Sequence, residues 1–253
     1  MRRGVLNILT DFALAWRLLT IIPLPFFPAD SNRPAGLAAT YYPLVGLILG
    51  VLLAGAGQLL FFLFPAGLAA ALLLAMWTGL TGLLHLDGLM DSCDGLLPPR
   101  DPAHRLEIMK DSRVGAFGVV GVVLLLLLKF NALAALPVGD RLPSLLVVPT
   151  LARWAMTWAM ARYPLARREG ASVFFSAGLG WRQVIIASVI AVAVALPLMG
   201  WLGLLLWGVA WLVTTLIAGL AMARIAGLTG DVYGAICEVT ETVLLIVTVV
   251  GLS

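Results

Sequence analysis

This sequence predicts an all-α, polytopic helical membrane protein, and three observations carry that prediction. Of 253 residues, 62% are hydrophobic and only 11% charged, whereas soluble domains run near a quarter charged. Apolar runs of about 20 residues, the length that crosses a bilayer core, recur along the chain. Basic residues crowd into a few connecting loops, the pattern of cytoplasmic loops beside anionic lipid, so the net charge of +3 does not point to a nucleic-acid partner. Together they predict about six to seven transmembrane helices in a single domain over residues 1–253, plus an N-terminal interfacial or re-entrant helix.

Residues 5–24 are apolar but carry Asn7, Asp11 and Arg17 and end in PLPFFP. A full span would sink those groups into hydrocarbon, so a helix at the interface is expected. No small-residue cleavage site follows, which argues against a cleavable signal. After a loop over 25–40 with Asp30 and Arg33, residues 41–64 are long enough to span. Pro65, Ala66 and Gly67 turn the chain, and 67–86 span back. Beyond a charged stretch, 115–136 span again, with Lys129 expected to snorkel outward near the far end. PVGDRLP turns, 142–162 return, and the loop over 163–182 carries Arg167, Arg168, Glu169 and Arg182. Residues 183–199 and 201–223 form a hairpin through Gly200, and the tail 225–253 holds Asp231, Glu238 and Glu241 before a last apolar run. With a first helix that does not cross, the loops at 25–40, 87–114, 163–182 and 224–234 share one side. That side holds nearly every arginine and lysine except Lys129 and Arg141, which makes it cytoplasmic. Cys93 and Cys237 have no metal-ligand spacing and are expected as free thiols in a reducing compartment.

The dense chemistry lies between Gly82 and Gly118, which hold six of the 13 acidic residues. Asp87, Asp91 and Asp94 are spaced i, i+4, i+7, so on a helix they fall within an arc of about 60°. Three such carboxylates repel one another unless a cation sits among them, and an all-oxygen set suits Mg²⁺ or Mn²⁺. A plain solvated helix end is the competing reading. Gly88 and Gly95 flank the acids with small residues, which permits close approach of a ligand. Glu107 and Asp111 form a second i, i+4 pair with Lys110 and Arg113 among them, suited to phosphate oxygens or simply to salt bridges along a helix. Pro98, Pro99 and Pro102 break the chain between the two acidic segments. His85 is a candidate for orienting a carboxylate or donating to phosphate, or a structural histidine. Arg153, inside an apolar segment, requires a partner: a tail-helix acid such as Glu238 or Glu241, or a phosphate.

GLLHLDGLMDSCDGL followed by RLEIMKDSRVGAFG resembles the signature of the cobalamin synthase, or adenosylcobinamide-GDP ribazoletransferase, family. WRLLTIIPLP, YYPLVGLILG, the arginine of LARWAM, YPLAR and the tail GLTGDVYGAICEVTE extend the resemblance over most of the chain, in order. It implies that α-ribazole, or its 5′-phosphate, attacks the diphosphate of adenosylcobinamide-GDP and releases GMP, at a cytoplasm-facing site in the inner membrane. Asp87, Asp91 and Asp94 are then Mg²⁺ ligands, and they, Glu107 and His85 are the catalytic candidates. Lys110, Asp111, Arg113, Arg153, Asp231, Glu238 and Glu241 are the substrate-binding candidates. The partners implied are those two substrates and membrane lipid; a homo-oligomer is left open. A membrane phosphotransferase of the CDP-alcohol class also uses aspartate clusters, but its order of Ala-Arg and a longer aspartate tail is missing here. A divalent-cation transporter would place acids near the midplane, whereas these crowd toward one end of the spans.

Overall fold

The computed structural model describes residues 2–25, 33–167 and 171–251, and among them every regular element is a helix. In order these are α1 (Arg2–Leu19), a 3₁₀ turn (Ala35–Tyr41) running into α2 (Tyr42–Leu63), α3 (Ala66–Leu80), α4 (Leu84–Leu96), α5 (Pro102–Ile108), α6 (Ala116–Ala135), α7 (Val138–Arg162), α8 (Ala171–Ser176), α9 (Trp181–Ile225) and α10 (Gly230–Gly251). Asp30, Arg168 and Glu169 lie outside the described residues.

Among the described residues, four helices are long and apolar enough to cross a membrane, or five when the bent pair α3 and α4 is one span. That is fewer than the six to seven expected, for two reasons. The 45-residue α9 is one element that contains two membrane-length arms: at Gly200 the backbone takes φ 55°, ψ −133°, a conformation suited to glycine. The arms then fold back until the Cα of Gly203 rests on the carbonyl of Ala195, where a Cβ would stand 2.2 Å from the oxygen. The second reason is α7, which carries Asp140, Arg141, Arg153 and Arg162. Almost every residue from Ser144 to Met160 is buried, because α2, α9 and α10 all pack on this helix. A helix enclosed by protein need not be apolar all round.

α1 is not among the membrane-length apolar helices. Its Asp11 is buried and accepts two hydrogen bonds from Arg33, at 2.7 and 2.6 Å, which ties it to the start of the 3₁₀ turn. The expected span over 67–86 ends early. α3 stops at Leu80, Gly82 and Leu83 both take positive φ, and α4 departs at 88° to α3. The acidic segment is therefore a separate helix lying across the end of the bundle.

α2 and α7 meet through two glycines one turn apart. A Cβ on Gly46 would stand 2.3 Å from the carbonyl oxygen of Pro149, and one on Gly50 would stand 2.4 Å from that of Leu145. Pro149 has no N–H to offer Leu145, four residues earlier, so that carbonyl is released from the helix ladder and turns its lone pairs to the glycine face. This is the small-residue packing that lets helices approach in lipid. We expect Gly46→Ala to lower stability by about 1–3 kcal/mol through overpacking, read as a lower melting temperature in detergent. Gly55→Ala on the same helix, where a Cβ meets nothing within 4 Å, should leave it unchanged.

Candidate functional site

The site is built where α4 crosses α10. A Cβ on Gly88 would come within 2.8 Å of the Asp231 carbonyl, and one on Gly234 within 3.0 Å of the His85 carbonyl. Backbone contact between the two helices sets Asp87 and Asp91 of α4 beside Asp231, in the first turn of α10, where a helix favours negative charge. Asp91 lies within electrostatic reach of Asp231, Asp87, Asp94 and Arg167. Thr229 holds Asp231 by donating to its Oδ2 at 3.0 Å.

Arg167 was not singled out from the sequence as a site residue, although it stands in the YPLAR segment. Two backbone hydrogen bonds put it here: Ala166 N–H donates to Leu228 at 2.9 Å and Leu228 N–H donates to Pro164 at 2.8 Å. This short parallel bridge straps the loop after α7 to the loop before α10. Arg167 donates from Nη2 to the Leu106 carbonyl at 2.8 Å, and its buried Nε has no partner. Its charge acts on both Asp91 and Asp231.

Asp94 keeps its place on α4 with the other two aspartates, but its carboxylate is engaged by backbone amides. Its carboxylate is buried and accepts the backbone N–H groups of Gly115 and Gly118, both at 2.8 Å. It thus closes the N-terminus of α6, where unpaired amides and the helix dipole favour an anion. Both glycines are needed, since a Cβ on either would stand within 2.4 Å of a carboxylate oxygen. With Asp94 so occupied, no three His, Cys, Asp or Glu among the described residues stand as a ready group around a metal.

The second acidic segment folds against the first as the prolines suggest. Asp101 caps α5 by accepting the His104 N–H at 3.0 Å, which holds its carboxyl below the usual range. Arg105, buried, donates to the carbonyls of Gly95, Leu96 and Arg100 at 2.8 to 2.9 Å and closes the end of α4. The expected helical pairing of Glu107 with Asp111 does not form, because α5 ends at Ile108. Asp111 instead accepts the backbone N–H of Arg113, two residues on, at 3.0 Å, and also its guanidinium, a local bond that competes with helix. That guanidinium holds the Asp111 carboxyl below its ordinary value. Glu107 pairs with His104 at 3.3 Å, and Lys110 is exposed. Glu107, Asp111 and Arg113 line an open polar pocket of about 640 Å³ that Asp94 borders.

Arg153, Glu238 and Glu241 sit deeper. The expectation that Lys129 snorkels outward is overturned: Lys129 is fully buried, 2.9 Å from Glu238, and also bonds Glu241. Arg153 takes the tail-acid alternative and bonds Glu241 through Nη1. Trp77 donates its indole N–H to Glu241 at 3.2 Å, and the Lys129 ammonium lies 4.5 Å from the Trp77 ring centroid. Two cations and two anions therefore join α3, α6, α7 and α10 in one neutral, buried network. His85 lies within reach of its charges.

Two further cavities adjoin these elements. One of about 920 Å³, between α7 and the two arms of α9, is walled by tryptophans and has no titratable side chain in its lining. The other, of about 220 Å³, has Asp87 and Asp231 in its lining together with His85 and Tyr233.

A family model described as cobalamin-5-phosphate synthase matches residues 11–249. Relatives named adenosylcobinamide-GDP ribazoletransferase include one from Desulforamulus reducens, 40% identical over 96% of this chain and 97% of its own length. One from Geotalea daltonii is 39% identical over 96% and 97%, and one from Thermosynechococcus vestitus 42% identical over 90% and 92%. No solved structure matches the chain.

Two outcomes follow from this geometry. Removing one member of the buried network leaves an unpaired charge, so Glu241→Gln and Arg153→Leu should each cost about 3–5 kcal/mol, measured as loss of thermal stability in the ligand-free, detergent-solubilised protein. Asp94→Ala should cost about 1 kcal/mol by uncapping α6. That loss should be the same with and without divalent cation in the buffer.

Proposed function

The chain belongs to the cobalamin-5-phosphate synthase family, and from that premise we propose that it is a membrane transferase acting as an adenosylcobinamide-GDP ribazoletransferase. A ribose hydroxyl of α-ribazole, or of its 5′-phosphate, attacks the proximal phosphorus of the adenosylcobinamide-GDP diphosphate. The new O–P bond forms, the bridging P–O bond breaks, GMP leaves with the bridging oxygen, and the hydroxyl proton passes to a carboxylate.

The observation that carries this reading is the meeting of Asp87 and Asp91 with Asp231 at the α4–α10 crossing, with Arg167 beside them. Phosphoryl transfer asks a protein for positioning and for opposite charge on the phosphate oxygens. Asp87 or Asp91 accepts the hydroxyl proton. Arg167 supplies positive charge to the diphosphate oxygens. Lys110 is a second cation available to the nucleotide, whereas Arg113 must leave Asp111 to serve.

An oxygen donor set of this kind fits Mg²⁺. Such ions at phosphate sites use one or two carboxylates together with substrate oxygens and water, so two of Asp87, Asp91 and Asp231 would be enough to hold one without Asp94. When bound, the ion would neutralise charge developing on the diphosphate. Arg100, Arg105, Lys110, Arg113, Arg162 and Arg167 cluster around the same end of the bundle, which supports a site facing the cytoplasm from the inner membrane.

Purified protein given adenosylcobinamide-GDP, α-ribazole and Mg²⁺ should release GMP. Asp91→Asn should lower turnover by at least about 10²-fold, in the range of general acid–base and charge effects, without unfolding. Near-normal turnover in that variant would remove Asp91 from the mechanism, and no GMP from the unsubstituted protein would refute the proposed activity.

A further inference from the structure

The cavity of about 220 Å³ behind the α4–α10 crossing has a split character. Asp87 and Asp231 belong to its acidic part. The remaining wall is largely apolar, with Leu19 from α1, Met156 and Met160 from α7 and Phe175 from α8. Three polar side chains are set into this wall, His85, Tyr233 and Tyr42. His85 is 1% exposed and Tyr233 4%. Neither ring nitrogen of His85, nor the hydroxyl of Tyr233, has a hydrogen-bond partner in the protein. Buried polar atoms are ordinarily satisfied, and leaving one unsatisfied is costly, so three beside one cavity call for a partner from elsewhere.

Size, charge and polarity restrict that partner. Pockets for drug-sized ligands run about 300–1,000 Å³, so this one takes a fragment: it is too small for a corrinoid or a nucleoside diphosphate. A wall of leucine, methionine and phenylalanine suits a flat, uncharged aromatic ring, for which thioether and ring-edge contacts are favourable. An N–H of neutral imidazole or the O–H of a phenol can donate to the ring nitrogen that a heterocyclic base keeps free when its other nitrogen carries a ribose.

We propose that this cavity holds the aromatic base of the ribazole, with His85 or Tyr233 donating to the ring nitrogen that does not carry the ribose. The inference rests on the transferase reading above and deepens it. A base seated here leaves its ribose beside Asp87 and Asp231, where the attacking hydroxyl is required. His85 is then a specificity residue that touches substrate at the base, and proton transfer stays with the carboxylates.

The test is direct binding of α-ribazole by equilibrium dialysis to the full-length protein in nanodiscs, alongside KM values for both substrates. Tyr233→Phe keeps the ring and should weaken α-ribazole binding roughly fivefold, the effect of one hydrogen bond. His85→Leu should weaken it further, and Met156→Phe, which fills the space, should abolish it. In Tyr233→Phe the KM for adenosylcobinamide-GDP should stay within about twofold. Unchanged α-ribazole affinity in both Tyr233→Phe and Met156→Phe, with GMP release intact, would overturn the cavity assignment and leave the activity standing. Binding of α-ribazole that these variants weaken, in a protein that releases no GMP, would support the cavity and refute the activity. Failure of the unsubstituted protein to bind α-ribazole would overturn the cavity assignment.

Discussion

The buried network of Lys129, Glu238, Glu241 and Arg153 is the constraint on which the arrangement of the helices depends. Each of the four charges would be expensive in a bilayer-depth interior, and each is compensated only if α6, α7 and α10 keep one mutual register. Trp77 extends the same demand to α3. Apolar packing alone gives lipid-embedded helices little preference among rotations, because lipid tails are as apolar as leucine. Paired charges supply that preference. Once α10 is held by Glu238 and Glu241, its first turn is directed at α4, and Asp231 arrives beside Asp87 and Asp91.

Glycines complete what the charges begin. Gly88 and Gly234 bring the backbones of α4 and α10 into contact, so carboxylates from the two helices act on one another. Gly46 and Gly50 do the same for α2 and α7. The bend at Gly82 and Leu83 turns α4 out of the direction of α3. As a result the acids gather at the end of the spans, with Asp87 exposed and Asp91 and Asp231 partly so. Immediately behind them the wall is hydrocarbon-like. A site joining a charged diphosphate to a riboside has use for both environments within the length of a sugar of each other, and helices that end at a membrane face provide such a boundary.

Much of this was readable in the residues because it depends on local pattern. Length and apolarity of runs reported the spans, Pro and Gly reported the turns, and the spacing of Asp87 and Asp91 reported a shared helix face. The hairpin at Gly200 and the folding of the 97–108 region back on α4 belong to the same class. Arg167 and Tyr233 were less accessible: an arginine in a basic loop and a tyrosine in an apolar helix look ordinary until the strap through Leu165 and Leu228 and the packing of α10 place them.

By itself, then, the sequence determined that the chain is an all-α membrane protein, where most of its helices lie, the break after Leu80 excepted, and that its acidic chemistry gathers at one end. Only the tertiary structure decided which opposing group each polar side chain meets. It turned Asp94 to the amides of Gly115 and Gly118, drew Lys129 inward to two glutamates, matched Arg153 with Glu241 and replaced Asp94 with Asp231 in the acidic group. The physical reason is that periodicity states which face of a helix is polar. The partner on the neighbouring helix is set by burial, because a charge removed from water must find its counterion wherever the packing has put one.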